Sequence, residues 1–97
     1  MNTMRPIHPG EVLREEFLVP HGLSAHALAQ ALRVPATRIN DVVRERRGVT
    51  PDTALRLARY FGTTPQFWLN LQASYDLKIA MREAGRRIER DIEPLTA

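Results

Sequence analysis

Apolar residues recur three and four apart in five separate runs along this chain, and residues that start or stop helices stand between the runs. The first run holds Val12, Leu13, Phe17 and Leu18. His8-Pro9-Gly10-Glu11 looks like its entrance, with Pro9 suited to a first turn and Glu11 to the positive end of the helix dipole. Pro20-His21-Gly22 should end it, since Pro20 disfavours a helical residue before it and Gly22 accepts a positive φ. Leu23 then reads as a staple ahead of a Ser24 cap, and the second run, about 25–32, should bury Leu28, Ala29 and Leu32. After a break at Arg33-Val34, a third run covers about 35–46, with Pro35 in its first turn, Ile39, Val42 and Val43 on one face, and Gly48 as its stop. Thr50-Pro51-Asp52 opens a fourth helix to about Phe61, with Ala54, Leu55, Leu57, Ala58 and Phe61 inward and Gly62 closing it. Thr63-Thr64-Pro65-Gln66 opens a fifth, about 65–90, by the same grammar. Phe67, Trp68, Leu71 and Tyr75 dominate its first half, and Leu77, Met81, Ala84 and Ile88 continue towards the carboxyl end. Gly85 weakens that end and Pro94 marks where order should stop.

No alternating strand pattern, repeat or low-complexity linker interrupts this series. The expected fold is all-α, a compact five-helix bundle over residues 8–92, with a flexible arm at 1–7 and a tail at 93–97. Ninety-seven residues suffice for one core. There is no cysteine, so disulfides and thiolate metal sites are excluded. No apolar run approaches the roughly 20 residues that span a bilayer, and no signal-peptide core follows the amino terminus, so a cytoplasmic protein without membrane contact is expected.

The third run is the informative one. Opposite its apolar face stand Ala36, Thr37, Asn40, Asp41 and Arg44, a small, polar, hydrogen-bonding surface of the kind that enters a DNA major groove. Together with the short helix before it, the stretch 24–46 reads as a helix-turn-helix. Charge agrees with this. Residues 1–32 carry two Arg against three Glu, giving −1; residues 33–47 carry five Arg against Asp41 and Glu45, giving +3; the remainder adds +1. The excess therefore sits on one element, as phosphate contact requires. Arg33 occupies the corner where a glycine is usual, at a cost of about 1 kcal/mol if the chain turns left-handed there.

On this reading, Ser24 and the start of the second helix offer donors to one phosphate, and Arg44, Arg46 and Arg47 close on the backbone beyond the groove. Ala36, Thr37, Asn40 and Arg38 face base edges: methyl groups for thymine, Asn40 for an adenine edge, Arg38 for a guanine. Asp41 has two readings, acceptor from a cytosine or holder of Arg38 or Arg44, and the second is favoured. Asn40 as a plain solvated residue is the competing view. Arg56 and Arg59 read as solvated or ion-paired. Tyr75, Leu77, Met81 and Ile88 form a stripe that four short helices cannot cover, so it should face a second copy of the chain. A two-fold dimer would set two groove helices about 34 Å apart, matching a palindromic site. The same stripe, or the amino-terminal arm and first helix with Glu15 and Glu16, is alternatively a protein-binding surface.

An enzyme is not expected. His8, His21 and His26 lie in different settings, with no metal-binding histidine pair, no glycine-rich phosphate loop and no serine in triad context. No metal or cofactor is expected.

The stretch Ser24–Arg47, SAHALAQALRVPATRINDVVRERR, resembles the helix-turn-helix of lambda-repressor-like (XRE) phage repressors. HPGEVLREEFL (His8–Leu18) and GVTPDTALRLARYFGTTPQFWLNLQ (Gly48–Gln72), followed by Tyr75-Asp76-Leu77, are similar to the HigA/VapI branch of bacterial antitoxins. The resemblance covers about residues 8–80, and WLNLQ is its more specific marker. It implies an antitoxin of a type II toxin–antitoxin (HigBA-like) module, binding and neutralising a RelE-like, HigB-type mRNA-cleaving toxin. It also implies dimeric repression of its own operon. Arg33 departs from the glycine common in phage repressors. A stand-alone XRE-family transcriptional regulator without a toxin partner is the alternative, and a protein-interaction adaptor that does not touch DNA a third.

Overall fold

The computed structural model describes residues 5–95, which form five helices with no strand among the described residues. These are α1 (residues 9–21), α2 (Ala25–Leu32), α3 (Ala36–Val43), α4 (Pro51–Phe61) and α5 (Pro65–Asp91). Residues 1–4 of the expected arm and 96–97 of the expected tail lie outside the described residues.

Four helices start with a side chain that accepts one of their own orphan N–H groups. His8 Nδ1 takes Gly10 N–H at 2.9 Å, Ser24 Oγ takes Ala27 N–H at 3.0 Å, Thr50 Oγ1 takes Thr53 N–H at 3.4 Å and Thr64 Oγ1 takes Phe67 N–H at 3.1 Å. Pro9, Pro51 and Pro65 follow in first-turn positions. Helix α3 is the exception. Pro35 is extended (ψ 143°) and stands before the helix, which therefore starts at Ala36 without a side-chain cap.

Helix α1 departs further from expectation. Its middle, Leu13–Leu18, is π-helical, between α-helical Pro9–Val12 and Val19–His21. Val19 is fully helical (φ −60°, ψ −49°) although it precedes Pro20, so Pro20 does not end the helix. Its missing N–H and its ring disturb the turn before it, and the wider i→i+5 turn absorbs both. The end comes at Gly22, with φ +60°: its N–H bonds Val19 C=O and the next N–H bonds Leu18 C=O.

The same closure is repeated with side chains present. Arg33 (φ +61°) closes α2, with Val34 N–H reaching Ala29 C=O, and Glu45 (φ +63°) closes α3, with Arg46 N–H reaching Asp41 C=O. Helix α3 thus stops at Val43, not near 46, and Glu45 rather than Gly48 turns the chain. Gly48 has another purpose. A Cβ there would meet the Gln72 side chain at 2.8 Å, and Gln72 Oε1 accepts Val49 N–H at 2.7 Å, tying the α3–α4 connection to α5.

All five helices feed one core, including Leu13, Leu28, Ile39, Val42, Leu57 and Trp68. Phe17 meets Phe61 and Trp68 at ring centroid distances of 4.9 and 5.0 Å, and Trp68 Nε1–H donates to Thr63 at 2.8 Å, so the indole is buried with its donor satisfied. Phe67 is at the margin of this cluster and partly in water. Leu55 is not inward: it is 60% exposed, because the buried stripe of α4 runs through Ala54, Leu57 and Ala58 and is flanked by Thr53 instead. Helix α5 packs on α4 and α1 with its first half and then leaves the bundle, which gives the molecule its 53 × 23 × 23 Å extents.

Candidate nucleic-acid interface

Helices α2 and α3 form the most extensive helix pairing in the molecule, and their connection is the Arg33 corner. Ile39 and Val42 are fully buried against the bundle, with Val43 partly so. This leaves the opposite side of α3 to solvent. Thr37 is exposed there, Ala36, Asn40 and Asp41 are half-buried beside it, and Arg44, Arg46 and Arg47 are exposed after the last turn. The nine residues expected at a DNA surface are therefore all solvent-accessible and belong to α2's amino terminus, α3 and the turn that follows.

Their internal bonds differ from expectation at two places. Asp41 holds neither Arg38 nor Arg44; its carboxylate is 3.5 Å from Arg47. Arg38 instead bonds Asp52 in the first turn of α4, and Arg56 joins the same oxygen at 2.9 Å. Hydrogen bonds from Arg56 and Arg38 hold the Asp52 carboxyl below its usual range, so it is ionised at neutral pH. Arg38 is half-buried by this arrangement, which directs it across the α3–α4 gap. Arg56 also donates to Leu32 C=O at 2.8 Å, so it is spent inside the chain, as its ion-paired reading anticipated. Ser24 Oγ is occupied as an acceptor by its own helix, which leaves its hydroxyl proton free to donate. Arg44 and Arg46 make no ion pair to a described residue and form the uncommitted charge of the surface.

Of the four stripe residues on α5, the fold engages one. Tyr75 is half-buried and meets His8 edge-on at 4.9 Å. Leu77, Met81 and Ile88 are 61%, 62% and 49% exposed. Glu15 and Glu16 are exposed on the π-helical part of α1, with Glu15 3.0 Å from Arg14. At the amino end, Arg5 forks onto Glu11 at 2.7 and 2.9 Å, which pulls the Glu11 carboxyl below its usual range.

Sequence reasoning passed over Arg14 and Gly10, which join α1 to the end of α3, and Asp52, which it read only as a dipole acid. The contacts of Arg14 and Gly10 with Val42, Val43 and Glu45 and of Asp52 with Arg38 span 14 to 32 positions, and no local pattern announces them; only the Asp52–Arg56 pair has ordinary helical spacing. Among the described residues no cluster of acidic residues and histidines is placed to hold a metal, and no helix is long and apolar enough to cross a membrane.

With this geometry in view, comparison with known proteins is specific. A helix-turn-helix family model matches residues 13–68. Virulence-associated protein I of Dichelobacter nodosus is 65% identical over 82 residues, covering 84% of this chain and 76% of that protein. The structure of Pseudomonas aeruginosa antitoxin HigA with higBA promoter superimposes with a TM-score of 0.93 at 55% identity, over 95% of this chain and 100% of that one. An addiction module antidote protein of the HigA family from Coxiella burnetii gives 0.90 at 50% identity, over 94% and 99%. The helices, the buried face of α3 and these likenesses agree: the chain belongs to the helix-turn-helix family and, within it, to the HigA-type antitoxins, which are DNA-binding and not enzymes.

Proposed function

We propose that this chain represses its own operon as a homodimer on a palindromic operator, and binds and neutralises a HigB-like, RelE-type mRNA-cleaving toxin. The observation that carries the DNA half is the orientation of α3: Ile39 and Val42 are fully buried while Thr37 and the arginines after Val43 face water. A relative with 55% identity was solved with its promoter, which supports the same use of this surface. Thr37, Ala36 and Asn40 meet base edges, Asn40 through a bidentate bond to adenine. Arg38, aimed by Asp52, approaches the groove edge. Ser24 and the amino terminus of α2 take one phosphate, and Arg44, Arg46 and Arg47 take the backbone on the other side, with Asp41 steering Arg47.

The dimer half rests on Leu77, Met81 and Ile88. They recur along the outer part of α5 where the bundle offers nothing to cover them, and a second copy of the same stripe would bury them across a two-fold axis. The toxin half rests on family membership, with the acidic Glu15–Glu16 face of α1 as the surface suited to a basic ribonuclease. A cytoplasmic site of action follows from these partners.

One experiment separates the readings. Co-expression with the adjacent short basic gene should relieve growth arrest, and the two products should co-purify. Repression of the chain's own promoter without any such rescue would identify a stand-alone regulator. Failure to shift that promoter at low salt would leave only a protein-binding role.

A further inference from the structure

Helix α1 is outside the helix-turn-helix unit, yet it grips one end of it. The last carbonyls of any helix lack partners within that helix. In α3 one of these, Val43 C=O, accepts a hydrogen bond from the Arg14 guanidinium. Its neighbour, Val42 C=O, lies so close to α1 that a Cβ on Gly10 would fall 1.8 Å from the oxygen. The Glu45 carboxylate, on the residue that closes α3, is 3.4 Å from the same arginine. The remaining nitrogen of Arg14, Nε, donates to Glu15 at 3.0 Å. All three nitrogens of this guanidinium are therefore used inside the chain.

We propose that Arg14 is a positioning residue for operator recognition: without touching DNA, it fixes the carboxyl end of α3 to α1 and so sets how Thr37 and Asn40 meet the base edges. The proposal rests on α3 being the groove helix. The chemistry calls for arginine, because a planar fork can serve a carbonyl and two carboxylates together while an ammonium is a single compact donor group. Base-edge bonds are sensitive to displacements of about half an ångström, whereas long arginine side chains on phosphates can follow a shifted backbone. Loosening this end should therefore cost discrimination more than general affinity.

The test is a titration of the full chain, Arg14→Ala and Arg14→Lys against two labelled duplexes. One carries the promoter region of the chain's own operon, and the other is a scramble of the same length and composition. Thermal unfolding of each variant first fixes a temperature at which all are folded; should Arg14→Ala fold at none, Arg14→Lys carries the test. Arg14→Ala is expected to bind the promoter duplex about tenfold more weakly, as the loss of charge-assisted hydrogen bonds implies. Binding to the scramble should stay within about twofold, with the salt dependence unchanged, and Arg14→Lys should recover only part of the loss. A uniform loss on both duplexes with a shallower salt slope would make Arg14 a phosphate contact and overturn the proposal. Unchanged binding, or full recovery by lysine, would overturn it as well. A parent chain that did not prefer its promoter duplex would instead overturn the groove-helix reading, and the proposal with it.

Discussion

Helix α3 and the outer half of α5 are both amphipathic and both meet water, but they present opposite faces. In α3 the β-branched residues turn inward, Ile39 and Val42 being fully buried, and the small polar residues are offered outward. In α5 the apolar residues are the ones left outside, with Met81 62% exposed. The difference comes from what lies alongside. Around α3 the bundle surrounds the apolar stripe with α1 and α2, while past Tyr75 the bundle has ended and α5 has not. A polar face with free arginines suits nucleic acid, and an uncovered apolar stripe suits a second protein surface.

The sharpest way to break this contrast is to truncate one apolar residue on each helix. Ile39→Ala should destabilise the fold by about 2–5 kcal/mol, since it leaves a cavity in a close-packed core. Met81→Ala should barely change unfolding of the monomer, while Met81→Glu should convert the proposed dimer to monomer by light scattering at micromolar concentration. A Met81→Glu chain that remained dimeric would move the two-fold interface elsewhere.

The polar face of α3 divides in turn. Asn40→Ala should cost about 1–3 kcal/mol on the operator and relax the preference at one base pair, with little effect on random DNA. Arg47→Ala should weaken all sequences alike and reduce the salt slope by about one, the change expected when a single phosphate is no longer neutralised. Equal losses on operator and random DNA for Asn40→Ala would take that residue off the base-reading surface.

Much of this arrangement is written locally. The five helices, the caps at Ser24, Thr50 and Thr64 and the inward set Leu28, Ile39 and Val42 follow from period and capping chemistry alone. What escaped depends on distant partners or on competition between local rules. Pro20 reads as a stop, but a π-turn lets α1 continue through it. Leu55 fits an apolar stripe, yet Thr53 flanks the core in its stead. Gly48 reads as a terminator, but the chain turns at Glu45, and Gly48 stands against the end of the Gln72 side chain, 24 positions on. Within the DNA surface the helix face was legible, and the ion-pair partners of Arg38 and Arg47 were not, because Arg38 meets Asp52 through the packing of α3 beside α4 and Arg47 meets Asp41 through the left-handed turn at Glu45.

A pH dependence follows from the contact between the start of α1 and α5. His8 is buried, caps α1 through Nδ1 and touches Tyr75 of α5. Burial lowers its pKa, and the Arg14 charge adds to this, while Glu45 and Asp76 oppose it. The cap requires the neutral ring, because a protonated Nδ1 cannot accept Gly10 N–H. The unfolded chain thus binds the proton more readily, so this contribution is full above about pH 6.5 and is lost as pH falls through the lower folded value. Thermal unfolding between pH 7.5 and 5 should show a decline that His8→Asn, which can still cap, largely removes. An unaltered slope in His8→Asn would assign the decline to other groups.

The smallest effect expected is a gain. Gly22 and Gly62 close α1 and α4 in the left-handed region, but Arg33 and Glu45 do so on either side of α3. Each non-glycine residue held there costs about 1 kcal/mol. Glu45 has an evident compensation in its approach to Arg14 at 3.4 Å. Arg33 is exposed and makes no ion pair to a described residue, so among the described residues no side-chain contact offsets its strain. Arg33→Gly should therefore raise stability by somewhat less than 1 kcal/mol, because glycine also makes the unfolded chain more flexible. In a domain of this size that is a rise of a few degrees in melting temperature. The corner geometry would be kept, so operator preference should not change. If instead Arg33→Gly leaves stability level and weakens DNA binding with a shallower salt slope, the arginine stands in the left-handed corner to meet a phosphate. The strain beside α3 would then belong to its DNA surface.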